Sequence, residues 1–403
     1  MTAPLVLWIA VGVVAYVYLG YPLLLLLLAR TVGSAWRKSA PRVPPRVSIV
    51  VAAHNEERVI AQKVRNSLAL EYDPARLEVV VVCDGCDDAT AEVARQAGDS
   101  RVRVVAYHPR QGKANALNVG QAATECDILV LTDADVRLHP GTLRELVANF
   151  ADERVGAVCG RTLVETRAAA TSLGERLKYR FDGSVRLLQS RIWSLPGADG
   201  GLYAIRRYLF LPLPEDTVAD DMAVALGVVE QGFRVVYDAT ATATEPAAPS
   251  FRAELGRKAR IVAGAAPIAL RWLVRRGPFR DGLVGFHLLS GKLLKYTVPC
   301  WMVVMLAASI ALRAAPTGRA LLVGQMGFYL TALVGYVLHR FGARLPRAAL
   351  LPTYFCGVNY AAVVGLLRAT LRRQSVRWEH TRLGAREVGT SSRPVSRPAD
   401  EGV

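Results

Sequence analysis

"ILVLTDADVRLHP", residues 128–140, is the stretch on which the reading of the chain turns. Ile128 to Leu131 are four apolar residues in a row, the pattern of a strand buried on both faces, and they run into Asp133 and Asp135, two carboxylates one residue apart. Like charges held that close repel each other, so the turn calls for a cation. Asp-x-Asp offers hard oxygen ligands to Mg2+ or Mn2+, and such an ion can bridge to phosphate oxygens. The same letters also suit a plain strand-end turn, because "HPGTLREL" starts a helix just downstream. The turn alone does not separate the two readings.

Upstream, the prolines of "SAPRVPPR" favour an extended linker, and "VSIVVAA", residues 47–53, reads as another buried strand. A helical stretch over 58–70 follows, then "LEVVVV" at 77–82 ending in "CDGCDDAT", then a short strand at 102–106 leading to "YHPRQGKANALN". Strands alternating with helices predict an α/β domain, a mostly parallel sheet with helices on both faces. Polar residues collect just after the strands, at the carboxyl edge where such sheets bind ligands. Asp84, Lys113, Asp133 and Asp135 are therefore expected to meet in one crevice. Each has a plainer reading: "CDGCDDAT" also suits a turn in which Asp88 caps a helix at 89–97, and Lys113 also suits a solvated loop. Neither G-x-G-x-x-G nor G-x-x-x-x-G-K-[ST] occurs after the first strand, which argues against a dinucleotide oxidoreductase and a P-loop NTPase.

The two ends differ from the middle. Leu5 to Ala29 carries no charge and is long enough to span a bilayer, so residues 1–30 read as a retained anchor and 31–46 as a linker. Arg30, Arg37, Lys38, Arg42 and Arg46 follow it, which places the next domain, 47–265, in the cytoplasm of a multi-pass protein of the cell (inner) membrane. Residues 266–295 are expected to form an interfacial region, because "RKARIVAGAAPIALRWLVRR" (257–276) interleaves basic and apolar residues. Apolar runs at 296–312, 320–338 and 348–367 predict about three further spans within 296–370. Three spans put the basic tail, 371–403, on the far side against the charge rule, so an interfacial or re-entrant segment is the alternative. The polar tail reads as largely disordered, with Trp378 as an interface anchor. The net charge of +16 could suggest nucleic acid, but the basic residues cluster beside the apolar runs and no nucleic-acid motif accompanies them. "CDGC" lacks a second C-x-x-C or a nearby histidine, so Cys83 and Cys86 are expected to be free thiols rather than zinc ligands.

Taken together, "VSIVVAAHNEE", "VVCDGCDDAT", "RQGKANALN", "LTDAD", "GADGGLYAIRR" and "VADDMAVAL" resemble, in order and spacing over about residues 45–265, the glycosyltransferases of family 2. The flanking apolar segments are similar to those of its membrane-bound branch, which includes chitin, hyaluronan, cellulose and poly-N-acetylglucosamine synthases. The resemblance implies a GT-A fold and an inverting, metal-dependent transfer from a nucleotide sugar, UDP-linked, to a lipid-linked or growing glycan acceptor. It implies that Asp84 contacts the base, with Glu56 and the backbone at 52–54, including Ala53, close by. Asp133 and Asp135 would hold Mg2+ or Mn2+ on the diphosphate, with Lys113 beside it on the donor side. Asp221 would be the general base, with Asp220, Gly197, Asp199 and Tyr203 on the acceptor side. An acidic pair at a helix start is also what the helix dipole favours without any catalytic role.

One departure matters. Processive synthases of this branch carry Gln-x-x-Arg-Trp, and the corresponding stretch here is "RKARI", residues 257–261. Arg257 and Arg260 can still neutralise a leaving diphosphate, but the aromatic platform is gone, which points to addition of one or a few sugars. A processive synthase extruding its polymer is the enzymatic alternative. A catalytically silent scaffold in a polysaccharide-export assembly is the alternative of another class, and the joint presence of Asp84, Asp133, Asp135 and Asp221 counts against it.

Overall fold

The computed structural model describes residues 2–165, 172–341, 343, 346–371 and 373–375, with backbone alone for 172–179 and 347. Trp378 and most of the tail lie outside the described residues. Among the described residues, eight strands form one sheet: β1 (Val47–Ala53), β2 (Leu77–Asp84), β3 (Val102–Tyr107), β4 (Ile128–Leu131), β5 (Arg137–Leu138), β6 (Val155–Glu165), β7 (Tyr203–Arg206) and β8 (Arg234–Pro246). Their order is β3-β2-β1-β4-β7-β6-β8-β5. The pairings β3-β2-β1-β4 and β6-β8 are parallel, while β7 runs antiparallel between β4 and β6, and β5 antiparallel on β8. The sheet is thus mixed, mostly parallel, with a reversed strand beside the one that carries the Asp-x-Asp turn.

The continuous apolar runs have a simple cause. Successive side chains of a strand point to opposite faces, and each face has its own core. Val50, Ala52, Val80, Val82, Leu129 and Leu131 face the helix Lys113–Ala122 through Ala114, Ala116 and Leu117. Ile49, Val51, Val79, Val81, Ile128 and Val130 face the other way, toward Ile60 and Val64 of the helix Ile60–Leu68 and Leu143 and Leu146 of the helix Thr142–Ala148. Each fully buried valine contributes about 1.5–3 kcal/mol, so a polar residue at any of these positions would cost more than a typical point mutation. On the first face, a side chain at Gly120 would lie 2.3 Å from Val50 Cγ1, so only glycine lets that helix approach.

Among the described residues, four helices are long and apolar enough to cross a membrane: Ala3–Thr31, Val284–Ala311, Pro316–Arg340 and Ala348–Thr370. The three C-terminal ones all reach spanning length, so length singles out none of them as interfacial. The stretch after the first helix is laid along the domain, with Trp36 Nε1 donating to Asn149 Oδ1 at 2.6 Å and Lys38 Nζ 2.8 Å from Asp238 Oδ2. The helix Phe251–Arg276 passes without interruption through residue 265, where the sequence suggested a boundary. It buries Val262, Ala265, Ala269 and Trp272, and it lies close against the helix Arg347–Thr370, where a side chain at Gly365 would come within 2.6 Å of Ala259 O.

Candidate active site

The strand order reverses at β1, with β2 and β3 on one side and β4 on the other. The crevice beyond their carboxyl ends is where the polar residues gather, as the sequence pattern predicts. Asp84 ends β2 and is fully buried; its Oδ1 accepts from Gln111 N at 2.6 Å and its Oδ2 from Gly112 N at 2.8 Å. It therefore anchors the loop that delivers Lys113. Gly85, at φ +58°, allows that fold-back, since a side chain there would lie 2.6 Å from Arg110 N. Ala53 is buried at the end of β1, and the backbone amide of Glu56 donates to Thr90 Oγ1 at 2.7 Å. Asp88 Oδ1 accepts from Thr90 N at 3.0 Å just ahead of the helix Thr90–Ala97, whose N-cap residue is Ala89 with no side-chain cap.

Lys113 opens its helix, and its side chain is mostly buried, so the solvated-loop reading fails. Its Nζ donates to Asp133 Oδ1 at 2.7 Å and lies 3.5 Å from Asp220 Oδ2. Burial alone would lower this lysine's pKa, but Asp133 and Asp220 outweigh it and hold the group well above the ordinary value. The lysine thus ties the Asp-x-Asp turn to the acidic pair that starts the helix Asp220–Glu230. In that pair, Asp221 Oδ1 accepts from Met222 N at 2.8 Å. Burial, reinforced by the Asp220 carboxylate, pushes Asp221 up to about 6.

Of the acceptor-side candidates, Asp199 Oδ2 accepts from Arg186 NH1 at 3.0 Å and Oδ1 from Gly201 N at 3.3 Å. Burial would raise its pKa; Arg186 more than offsets that and keeps it ionised. Tyr203, on β7 opposite Leu131, has a buried hydroxyl with no hydrogen-bond partner among the described residues. At Gly197 a side chain would meet Lys292 Nζ at 3.2 Å. Arg257 donates to Glu254 at 3.0 and 3.1 Å and lies 3.8 Å from Glu245, yet is close enough to lower the pKa of Asp199. Arg260 is half-buried on the same helix, and its side chain makes no hydrogen bond or ion pair among the described residues.

Sequence reasoning missed Lys63, Arg186 and Lys292. Lys63 left a signal: in "IAQKVRNSL" it shares the apolar face of its helix with Ile60 and Val64. It is 1% exposed, and burial brings it down to about 7 against the upward pull of Asp133 and Asp135.

The donor set suits a hard divalent ion. Among the described residues no group of three or more His, Cys, Asp or Glu side chains is arranged to hold a metal ion, so the candidate protein ligands are the pair Asp133 and Asp135. Two part-exposed carboxylates, with phosphate oxygens and water for the remaining positions, are what Mg2+ and similar ions accept. Softer metals would want the nitrogen or sulfur ligands that this turn lacks.

The sheet order, the crevice and the Asp-x-Asp turn define a GT-A-like fold. Residues 44–264 match the family described as "Glycosyltransferase like family 2", and the chain belongs to that family. It is 27% identical over 255 residues to the "Probable glycosyltransferase YdaM" of Bacillus subtilis, covering 60% of each chain. It is 24% identical over 198 residues to the poly-beta-1,6-N-acetyl-D-glucosamine synthase of Staphylococcus aureus, covering 48% of each. The chain thus matches about half to three-fifths of the length of these relatives. Its fold is shared with the mannosyltransferase PcManGT from Pyrobaculum calidifontis, solved with GDP-Man and Mn2+, at a TM-score of 0.71 and 24% identity over 91% of this chain and 99% of that one.

Proposed function

We propose that the protein is an inverting, metal-dependent glycosyltransferase that moves a sugar from a nucleotide sugar, UDP-linked, to a lipid-linked or growing glycan acceptor at the membrane, with the catalytic domain on the cytoplasmic side. The observation that carries this reading is Asp221: one carboxylate oxygen is held by a backbone amide, and its proton affinity is raised, a few residues in space from the Lys113–Asp133–Asp220 cluster. A base poised near neutrality is what proton removal from a sugar hydroxyl requires.

In this reading Ala53, Glu56 and Asp84 border the nucleotide base. Asp133 and Asp135 would hold Mg2+ or Mn2+, which would supply charge neutralisation for the diphosphate. The acceptor oxygen attacks the anomeric carbon as Asp221 takes its proton. The bond from that carbon to the diphosphate oxygen breaks on the opposite face, and the electron pair leaves with the diphosphate. Lys113, Arg257 and Arg260 receive the charge that develops there. A single displacement inverts the anomeric centre. Gly197, Asp199, Tyr203 and Asp220 form the acceptor side in this reading.

The test is transfer by membranes enriched in the protein, given a panel of radiolabelled UDP- and GDP-sugars, with the products sized. One or a few added sugars from a UDP donor is the expected result, because Ile261 stands where a processive enzyme has tryptophan. High-molecular-weight product made by the purified protein alone would favour the processive synthase. No transfer from any donor would favour the silent scaffold and an export partner.

A further inference from the structure

Part of what offsets the repulsion between Asp133 and Asp135 lies behind the turn. Lys63 Nζ donates to Thr132 Oγ1 at 2.9 Å and to Val136 O at 2.6 Å, the residues that flank Asp133-Ala134-Asp135 on either side. Thr132 Oγ1 in turn donates to Gly201 O at 2.8 Å, in the "GADGG" loop, where Gly201 N donates to Asp199. One buried side chain therefore fixes both ends of the Asp-x-Asp turn and, through Thr132, its distance from the acceptor-side loop.

Three residues further along the same helix stands a natural comparison. Asn66 Nδ2 donates to Leu138 O at 2.9 Å and its Oδ1 accepts from Leu138 N at 2.8 Å. Asn66 grips β5, beyond the turn; Lys63 grips the turn itself. A simple tether between helix and sheet is already supplied by Asn66 and by the Ile60 and Val64 contacts. Burying an amine costs several kcal/mol unless its hydrogen bonds are made, so a residue whose only task was packing would be apolar here.

We infer that Lys63 is a positioning residue for the donor metal: it sets the geometry in which Asp133 and Asp135 present their oxygens, and it couples that geometry to the Gly201 loop. The inference rests on the metal role proposed for the two aspartates. Residues that orient metal ligands typically carry about 10- to 100-fold in metal affinity.

The experiment uses the full chain in detergent or lipid nanodiscs, with Mn2+ plus UDP and Mn2+ plus GDP as probes, read by electron paramagnetic resonance and calorimetry. Lys63→Met keeps the length of the side chain and removes the donors; it is expected to weaken Mn2+–nucleotide binding at least tenfold. Asn66→Ala is expected to lower the melting temperature while leaving that affinity within about twofold. Thr132→Val, which leaves Lys63 and its bond to Val136 in place, should lose part of the affinity and keeps the test open if Lys63→Met does not fold. Unchanged Mn2+ affinity in Lys63→Met, or in Thr132→Val, overturns the inference. So does a loss of affinity in Asn66→Ala that scales with its loss of stability as it does in Lys63→Met. If the wild-type protein binds no Mn2+ with either nucleotide, the metal role itself fails, which is a different outcome from equal binding by wild type and variant.

Discussion

Lys113 Nζ lies 2.7 Å from Asp133 Oδ1, so the first carboxylate of the Asp-x-Asp turn already faces a cation that belongs to the protein. A divalent ion arriving at Asp133 must displace or outcompete that ammonium. Lys113→Met is therefore expected to bind Mn2+ more tightly when no nucleotide is present, by about 1 kcal/mol or roughly fivefold after allowance for screening at a part-exposed pair. The same variant should transfer sugar more slowly, having lost a cation on the donor side. Weaker Mn2+ binding by the free variant would show that Lys113 supports the metal rather than competing with it.

Asp221 gives the reaction its pH dependence. A base must be deprotonated to act, and burial with the neighbouring Asp220 pushes Asp221 up to about 6. Activity should therefore be fully present above that value and fall about tenfold per pH unit below it. Asp221→Asn should cost about 10²- to 10⁴-fold in turnover, roughly 3–5 kcal/mol of barrier, with donor affinity nearly unchanged, and its residual rate should lose the acidic limb. Normal transfer at saturating donor by this variant would move the role to Asp220.

Chelation is expected to abolish transfer, with Mg2+ or Mn2+ restoring it. Asp135→Asn should weaken metal-dependent donor binding and so raise the donor KM, in contrast to the turnover defect of Asp221→Asn. Full activity in excess EDTA would remove the metal from the mechanism.

The basic residues after the first apolar helix predict that residues 47–265 face the cytoplasm. A reporter that fluoresces only in the cytoplasm, inserted near residue 150, should light up. Activity of a periplasm-specific reporter at that position would reverse the orientation.

Much of this was legible in the letters because the strands that build the crevice are buried on both faces. Val47–Ala53, Leu77–Asp84 and Ile128–Leu131 announce themselves as unbroken apolar runs, and their carboxyl ends locate Asp84, Asp133 and Asp135. Arg137–Leu138 and Tyr203–Arg206 gave no such signal. The first is two residues long, and the second is a strand only because Leu131 and Cys159, both more than 40 residues upstream, pair with Tyr203. Such distant pairing leaves no local periodicity. Lys63 was hidden for another reason: a lysine on a helix is ordinarily a solvated residue, and only the burial of the face it shares with Ile60 and Val64 turns it into part of the site.

The family match stops at residue 264, halfway along the helix Phe251–Arg276. A soluble fragment trimmed at that point would lose Ala265, Ala269 and Trp272 from the core beneath the sheet and strip Ala259 and Val262 of the last apolar helix, whose Gly365 packs against them. The last apolar helix of this chain is thus a wall of its α/β domain. A preparation that keeps the C-terminal apolar helices is accordingly expected to hold the site together better than a trimmed one, and a shift of the last helix has a mechanical path to the helix that carries Arg257 and Arg260.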